Sequence, residues 1–315
     1  MSSVAHAVEP GPHKKSKAPM SKGRKIAYGV LLVYVLGIVG FAVGFGIHGH
    51  KNESFKAIDA YHLETWLKLG PVAFNKGVLY LLLATLITLA IMVSVGLHMR
   101  RRPGRMQVAV EWAYDLMTKL TRENMDEAMA KKWFPLIFTL FVFIAVSNLI
   151  GYIPLPVNSS ATFKLFGLNI PSLQIYAAVT NVAVPLVLAL GVFVAYTYEG
   201  LRAQGFRGYL HSLIPPGVKG PMLLLMYPLE IVSNLMRLLS LTIRLWANLL
   251  AGHLLIDFMA GNLAVLLGLQ LLGWVTLPIG IAIYLLEATL IAGLQAFIFA
   301  ILTAIYLGGA TSASH

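Results

Sequence analysis

Apolar runs long enough to cross a hydrocarbon core recur along the chain. Residues 26–47, 77–97, 134–157 and 173–198 carry no Asp, Glu, Lys or Arg. Each is near the ~20 residues that cross ~30 Å of hydrocarbon at ~1.5 Å rise per residue. Residues 222–308 are apolar over a length that holds two extended helices. A break is expected near Gly261–Asn262, with further Gly and Pro at Gly273, Pro278 and Gly280. The pattern predicts an all-α polytopic membrane protein with about six membrane-embedded helices, the last two long and tilted. Between these runs the pattern changes. QVAVEWAYDLMTKLTRENM (from Gln107) predicts an amphipathic helix lying at the interface. Residues 49–76 alternate weakly between apolar and polar, and the loop after Pro154 and Pro156 extends to about residue 172.

Composition supports lipid as the solvent. Of 315 residues, 58% are hydrophobic and 12% charged, against ~25% charged in soluble domains. The absence of cysteine excludes disulfides, thiolate metal sites and cysteine nucleophiles. The net charge of +11 would suit nucleic acid, but its distribution points to topology. Residues 1–25 hold six Lys or Arg, residues 100–132 hold eight, and Arg202, Arg207 and Lys219 follow the fourth run. The opposite side receives Lys51, Lys56, Lys68, Lys76 and Lys164. One register therefore puts 17 basic residues inside and five outside, as the positive-inside rule requires, so no nucleic acid partner is needed. Both termini are then cytoplasmic. The expected organisation is a basic cytoplasmic tail over 1–25, an additional N-terminal membrane helix over 26–48, and a membrane domain over 77–310. A signal segment is the alternative for 26–48. That run exceeds the usual ~7–15-residue signal core, and no clean small-x-small site precedes His48.

After residue 221 the chain has five charged side chains: Glu230, Arg237, Arg244, Asp257 and Glu287. A charge at mid-bilayer costs ~2.5–3.5 kcal/mol on insertion scales. Such a residue usually faces a wet cavity or a partner. Glu230, Asn234, Arg237, Arg244 and Asn248 fall within about 40° of one line on a helical projection and extend over ~27 Å. Arg237 is near an end, where snorkelling is open to it. Glu230, close to Pro228, has the alternative of an interfacial helix-start acid. Arg244 is flanked on both sides by long apolar sequence. Asn248 could equally be a helix–helix hydrogen-bonding residue. His253 lies about 180° from Arg244, outside the stripe. It suits either a packed core or a proton relay, since free imidazole titrates near ~6.5. Glu287 and Gln295 stand alone in the last apolar run.

These residues carry a resemblance. LSLTIRLWANLLAGHLL, with Arg244, Asn248, Gly252 and His253, resembles the signature helix of subunit a of F-type ATP synthases. LQAFIFAILTAIYL, from Leu294, resembles that family's last helix. PGRMQ with Glu111, SNLIGYIP (from Ser147), TN…LALGVF (from Thr180) and YPLEIVSNLMRLLSL (from Tyr227) follow in the family's order over roughly 77–310. The resemblance implies a bacterial inner-membrane stator subunit whose last helices pack against a rotating c-ring. The peripheral-stalk b subunits, the rest of the complex and membrane lipids would be the other partners. It implies two offset half-channels that pass protons to the ring carboxylates. Arg244 would separate them, Gln295 would sit opposite Arg244, Glu230 would lie in the cytoplasmic half-channel, and His253 in the outer one. The family's polar partner usually stands seven residues before the glutamine, whereas Glu287 stands eight before Gln295 and position 288 is alanine. One extra residue rotates a side chain by ~100°, so a local bulge is needed to restore register.

A secondary proton or cation transporter could use the same stripe, but no internal repeat is evident. A structural anchor would leave Arg244 without a purpose. No P-loop, HExxH or GxSxG element supports an independent enzyme. His48 and His50 make too weak a pair for a metal site, and no cofactor is expected.

Overall fold

The computed structural model describes residues 22–45, 65–69, 72–98, 103–165, 168–212, 222–259, 267 and 270–312. The basic residues before Lys22, the His48–His50 pair and the expected break at Gly261–Asn262 lie outside them. The elements are α1 (Lys22–Phe45), β1 (Thr65–Leu69), β2 (Val72–Asn75), α2 (Lys76–Leu97), α3 (Arg105–Asn124) and α4 (Glu127–Gly151). Then follow β3 (Leu155–Leu165), β4 (Leu168–Gln174), a 3₁₀ turn (Ala178–Thr180), α5 (Ala183–Ser212) and α6 (Met222–Asp257). α7 (Gln270–Leu286) continues through a π-helical turn (Glu287–Ile291) into α8 (Ala292–Ser312).

Among the described residues five helices are long and apolar enough to cross a membrane. They are 76–97, 127–151, 183–209, 224–257 and 272–310, and the shorter apolar stretch 28–40 lies within α1. The last two run 34 and 39 residues, or ~51 and ~58 Å. Neither stands upright in ~30 Å of hydrocarbon. α3 is the expected amphipathic helix. Ala113, Met117 and Thr121 are buried, while Trp112 and Met106 are exposed.

The helices depart from the apolar runs at their ends. α4 begins seven residues before the expected start at Phe134. Its first turns are polar and held by ion pairs: Lys131–Glu127 at 2.8 Å, and Lys132–Glu199 at 2.6 Å to α5. The apolar run marks only the part of a helix in contact with lipid or core. α5 starts ten residues later than expected, because Leu173 and Gln174 end β4 and the chain then passes through the 3₁₀ turn at Ala178–Thr180. It also runs past Glu199 to a kink at Gly205, where φ is +70°, a conformation that glycine adopts readily. Gly273, Pro278 and Gly280 do not break α7, which is helical through all three. The two connections assigned outside each contain an antiparallel hairpin, β1–β2 and β3–β4. Lys76, counted with the outer loop, is instead the first residue of α2, 6% exposed, with its ammonium 5.3 Å from the centre of the Tyr176 ring.

α4 is the most enclosed span and packs on α2, α3 and α8. Close approach to α8 follows from its small residues. Ala292, Ala296, Ala300, Ala304 and Gly308 recur every four residues and are all buried, the small-xxx-small solution for helix contact in lipid. At Gly308 the Asn124 carbonyl oxygen of α3 stands 2.0 Å from where a Cβ would be, so no side chain fits there. The end with the hairpins holds the C-termini of α4 and α6. The opposite end is rich in basic residues.

Candidate functional site

α6 carries its charges at the border of a packed ridge. Leu241, Leu245 and Leu249 are each no more than 4% exposed. Beside them the polar stripe stays open: Arg244 is half-buried and Asn248 exposed. The Arg244 guanidinium Nη2 donates to Ser240 Oγ, one turn back, at 3.4 Å. Near the basic end, Arg237 Nη2 lies 3.9 Å from Glu230 Oε1, with both side chains partly exposed. The Arg237 guanidinium also sits 5.9 Å from the centre of the Tyr306 ring on α8. Arg237 therefore has a partner on a neighbouring helix, whereas among the described residues Arg244 is held only by its own.

Toward the hairpin end, three helices converge on Glu287. Its carboxylate accepts a hydrogen bond from Tyr152 Oη at 3.2 Å and lies against the backbone of Gly252. A Cβ at Gly252 would fall 2.5 Å from Oε2 and 2.7 Å from Oε1. The glycine of the α6 signature is thus the residue that admits the carboxylate. The Tyr284 hydroxyl donates to the Tyr152 carbonyl at 2.8 Å. Tyr152 packs its ring at right angles to His253, with centroids 4.9 Å apart. His253 is fully buried, and neither ring nitrogen has a hydrogen-bond partner among the described residues. Asn148, also fully buried, donates Nδ2 to the Ala292 carbonyl at 3.1 Å, where the π turn joins α8.

The π turn answers the spacing problem. Its bond runs five residues, from the Ala292 N–H to the Glu287 carbonyl. A π turn holds one residue more than an α turn, so it absorbs the extra residue between Glu287 and Gln295. Two contacts also set the antiparallel register of the last helices: Arg237 with Tyr306, and Gly252 with Glu287. Counting inward from Gly252 and Glu287 puts Arg244 level with Gln295, and counting from Arg237 and Tyr306 puts it about one turn further along α8, level with Phe299. Gln295 is 5% exposed, and it and Arg244 do not hydrogen-bond to each other.

Of the six residues singled out from sequence, the structure brings His253 and Glu287 into one cluster. It leaves Arg244, Asn248 and Glu230 on the α6 stripe and buries Gln295 between helices. Sequence reasoning assigned no role to Asn148, Tyr152 or Tyr284. Asn148 and Tyr152 do belong to the SNLIGYIP run, and that was their signal. The arrangement as a whole is a cation midway along a membrane helix, with a separate set of titratable side chains, Tyr152, His253 and Glu287, displaced toward one end.

The chain matches the family model described as ATP synthase A chain over residues 78–308. It is 38% identical over 269 residues to ATP synthase subunit a of Bradyrhizobium diazoefficiens, covering 82% of this chain and 98% of that protein. ATP synthase subunit a of Acidiphilium cryptum is 36% identical over 268 residues, covering 82% and 96%. That of Rhodospirillum rubrum is 33% identical over 239 residues, covering 76% and 89%.

Proposed function

We infer function from a premise and an arrangement: the chain belongs to the ATP synthase A chain family, and Arg244, a deep and open cation, lies between two separate polar regions. It is a multi-pass membrane subunit of the ATP synthase complex and works as the stator's proton channel. Two half-channels, each reaching only mid-membrane, deliver protons to a ring of small rotor subunits and remove them. The subunit itself catalyses no bond chemistry. The observation that carries this reading is Arg244, half-exposed on the polar face of a 34-residue span, with Ser240 as its hydrogen-bond partner.

The chemistry follows from the residue types. A guanidinium stays protonated at any accessible pH. A ring carboxylate passing within a few ångströms of it is favoured in its ionised form. The carboxylate must then have released its proton to one half-channel before passing, and it takes up another beyond. Protons cannot hop past a fixed positive charge, so flux is tied to rotation. His253, Glu287 and the surrounding Tyr152 and Asn148 form the outer half-channel. Glu230 lines the cytoplasmic one. Gln295 lies at the level of Arg244, and Asn248 extends the same face. The rotor ring covers the open stripe of α6, and peripheral-stalk b subunits hold the complex static. Charge asymmetry supports a bacterial inner membrane with the C-terminus cytoplasmic.

The test is photo-cross-linking from Ile243, 51% exposed beside Arg244, in the assembled complex. The expected adduct is the small ring subunit. Adducts to lipid or to stalk subunits alone would reject the assignment of this face. For orientation, a cysteine at Glu123, exposed near the end of α3, should label from the cytoplasm and one at Lys164 from outside. The reverse pattern would invert the scheme.

A further inference from the structure

Between β4 and α5 the chain makes its 3₁₀ turn inside the protein. Ala177, Ala178 and Val179 are no more than 1% exposed, and Thr180 is 8% exposed. The turn is fixed from several sides. The N–H and the hydroxyl of Thr180 both donate to the Ala177 carbonyl, at 3.0 and 2.7 Å. Ala177 stands so close to α4 that a Cβ added at Gly151 would fall 2.4 Å from its own. Tyr176, just before the turn, packs on Tyr80 of α2 with ring centroids 5.5 Å apart. α2, α4, α5 and α6 all pack on the turn. An α or 3₁₀ continuation would bring the N–H of Val184 or Ala183 to the Thr180 carbonyl. Those two groups go elsewhere, to the Asn181 carbonyl at 3.0 Å and to Asn181 Oδ1 at 3.1 Å. The Thr180 carbonyl instead accepts from Trp246 Nε1 of α6 at 2.9 Å.

We propose that this bond fixes the rotation of α6 about its own axis, which makes Trp246 a positioning residue for Arg244. Positions two apart on a helix are ~200° apart around it, so the indole and the guanidinium leave α6 on opposite sides. The buried ridge of Leu241, Leu245 and Leu249 supplies contact area, but apolar contact is non-directional. A hydrogen bond to a fixed turn supplies the direction. Arg244 hydrogen-bonds to Ser240 of its own helix, so its place follows that of α6. Tryptophan suits the task, because it joins a large apolar body to one N–H donor. If α6 turned by ~30°, a group ~5–6 Å from its axis would move ~3 Å, about the length of the contact Arg244 has to make. Under the function proposed above, on which this consequence rests, each passing ring carboxylate pulls sideways on Arg244. Trp246 carries that load to the turn, and through it to α2, α4 and α5.

The experiment removes the donor and keeps the shape. Trp246 is replaced by 3-benzothienylalanine, in which sulfur stands for the indole N–H, in the assembled complex. Trp246→Phe serves if that complex does not assemble. The chain has no cysteine, so Leu235→Cys on α6 and Leu149→Cys on α4, both at exposed positions, carry spin labels once the other subunits are made cysteine-free. Leu235 lies ~180° from Arg244 around α6, away from the polar stripe. With Trp246 in place the label-to-label distance should be single and narrow. Without the N–H it should shift or broaden by ~3 Å, the displacement of a ~30° turn. Passive proton leak should rise about threefold, the scale of one interhelical hydrogen bond in a membrane. A narrow, unchanged distance would overturn the proposal, whatever the leak. The distance does not depend on ion flux. A displaced α6 with an unchanged leak would therefore uphold the anchor and count against the channel reading alone.

Discussion

Around Glu287, side chains and backbone from α4, α6 and α7 close on one another. Along α6 the charges from Glu230 to Arg244 open onto a face that the described residues leave partly uncovered. In the first region Tyr152 and Gly252 hold a carboxylate, Tyr284 holds Tyr152, and Asn148 fixes the end of the π turn. In the second, Arg244 rests on Ser240, and Glu230 and Arg237 stand at a loose 3.9 Å. The difference separates a preorganised site from half of an interface. A charge at mid-bilayer costs ~2.5–3.5 kcal/mol. A single 3.4 Å hydrogen bond to a hydroxyl does not offset that, so the Arg244 face needs a partner. The enclosed cluster needs only access for protons.

The comparison makes substitutions in the two regions fail differently. Apart from Arg244 itself, the largest expected effect is in the enclosed cluster, at Gly252. Gly252→Val would drive two methyl groups into the Glu287 carboxylate, and overpacking costs on the order of 1–3 kcal/mol even in apolar surroundings. Assembly should fall, or pumping should be nearly lost in the subunit that remains. Near-normal pumping would mean that the Glu287 contact is dispensable. His253→Ala should come next, slowing proton flux several-fold and shifting its pH dependence while assembly survives. Flux unchanged from about pH 5 to about pH 9, where free imidazole titrates near ~6.5, would return His253 to the packing class. The smallest effect is expected on the open stripe at its basic end. Glu230→Gln should be mild, because water can bypass an acid at a channel mouth and the pair with Arg237 is long. A defect as large as that of His253→Ala would show that Glu230 is not peripheral.

How much of this was legible in the sequence follows the same division. The α6 stripe depends on local helical period alone, and Glu230, Arg237, Arg244 and Asn248 could be laid on one face by counting. Membrane helices were legible wherever lipid or core demands apolar residues. Their polar ends were not, which is why α4 begins at Glu127, and apolar residues outside helices were not either, which is why α5 begins only at Ala183, after the 3₁₀ turn. The enclosed cluster depends on which helices meet. Tyr152 gains its role from Glu287, 135 residues away, and no local pattern announces that. Its place in SNLIGYIP was visible, its partner was not. The offset of Glu287 was visible as a number, but its resolution by a π turn is a property of the folded backbone. Pro278 read as a break because a proline in isolation is one. In the folded chain α7 nevertheless runs through it.

The central claim is that Arg244 both couples and insulates, so two properties of one variant decide it. In inverted vesicles carrying Arg244→Ala, ATP-driven acidification and passive proton leak are measured together, with immunoblotting to establish that the complex is assembled. The account predicts no acidification and a raised leak, because ring carboxylates would no longer be held ionised between the half-channels. Arg244→Lys should fail or nearly fail as well, since a compact, titratable ammonium replaces a planar, permanently charged fork. Normal acidification by an assembled Arg244→Ala complex would contradict the mechanism.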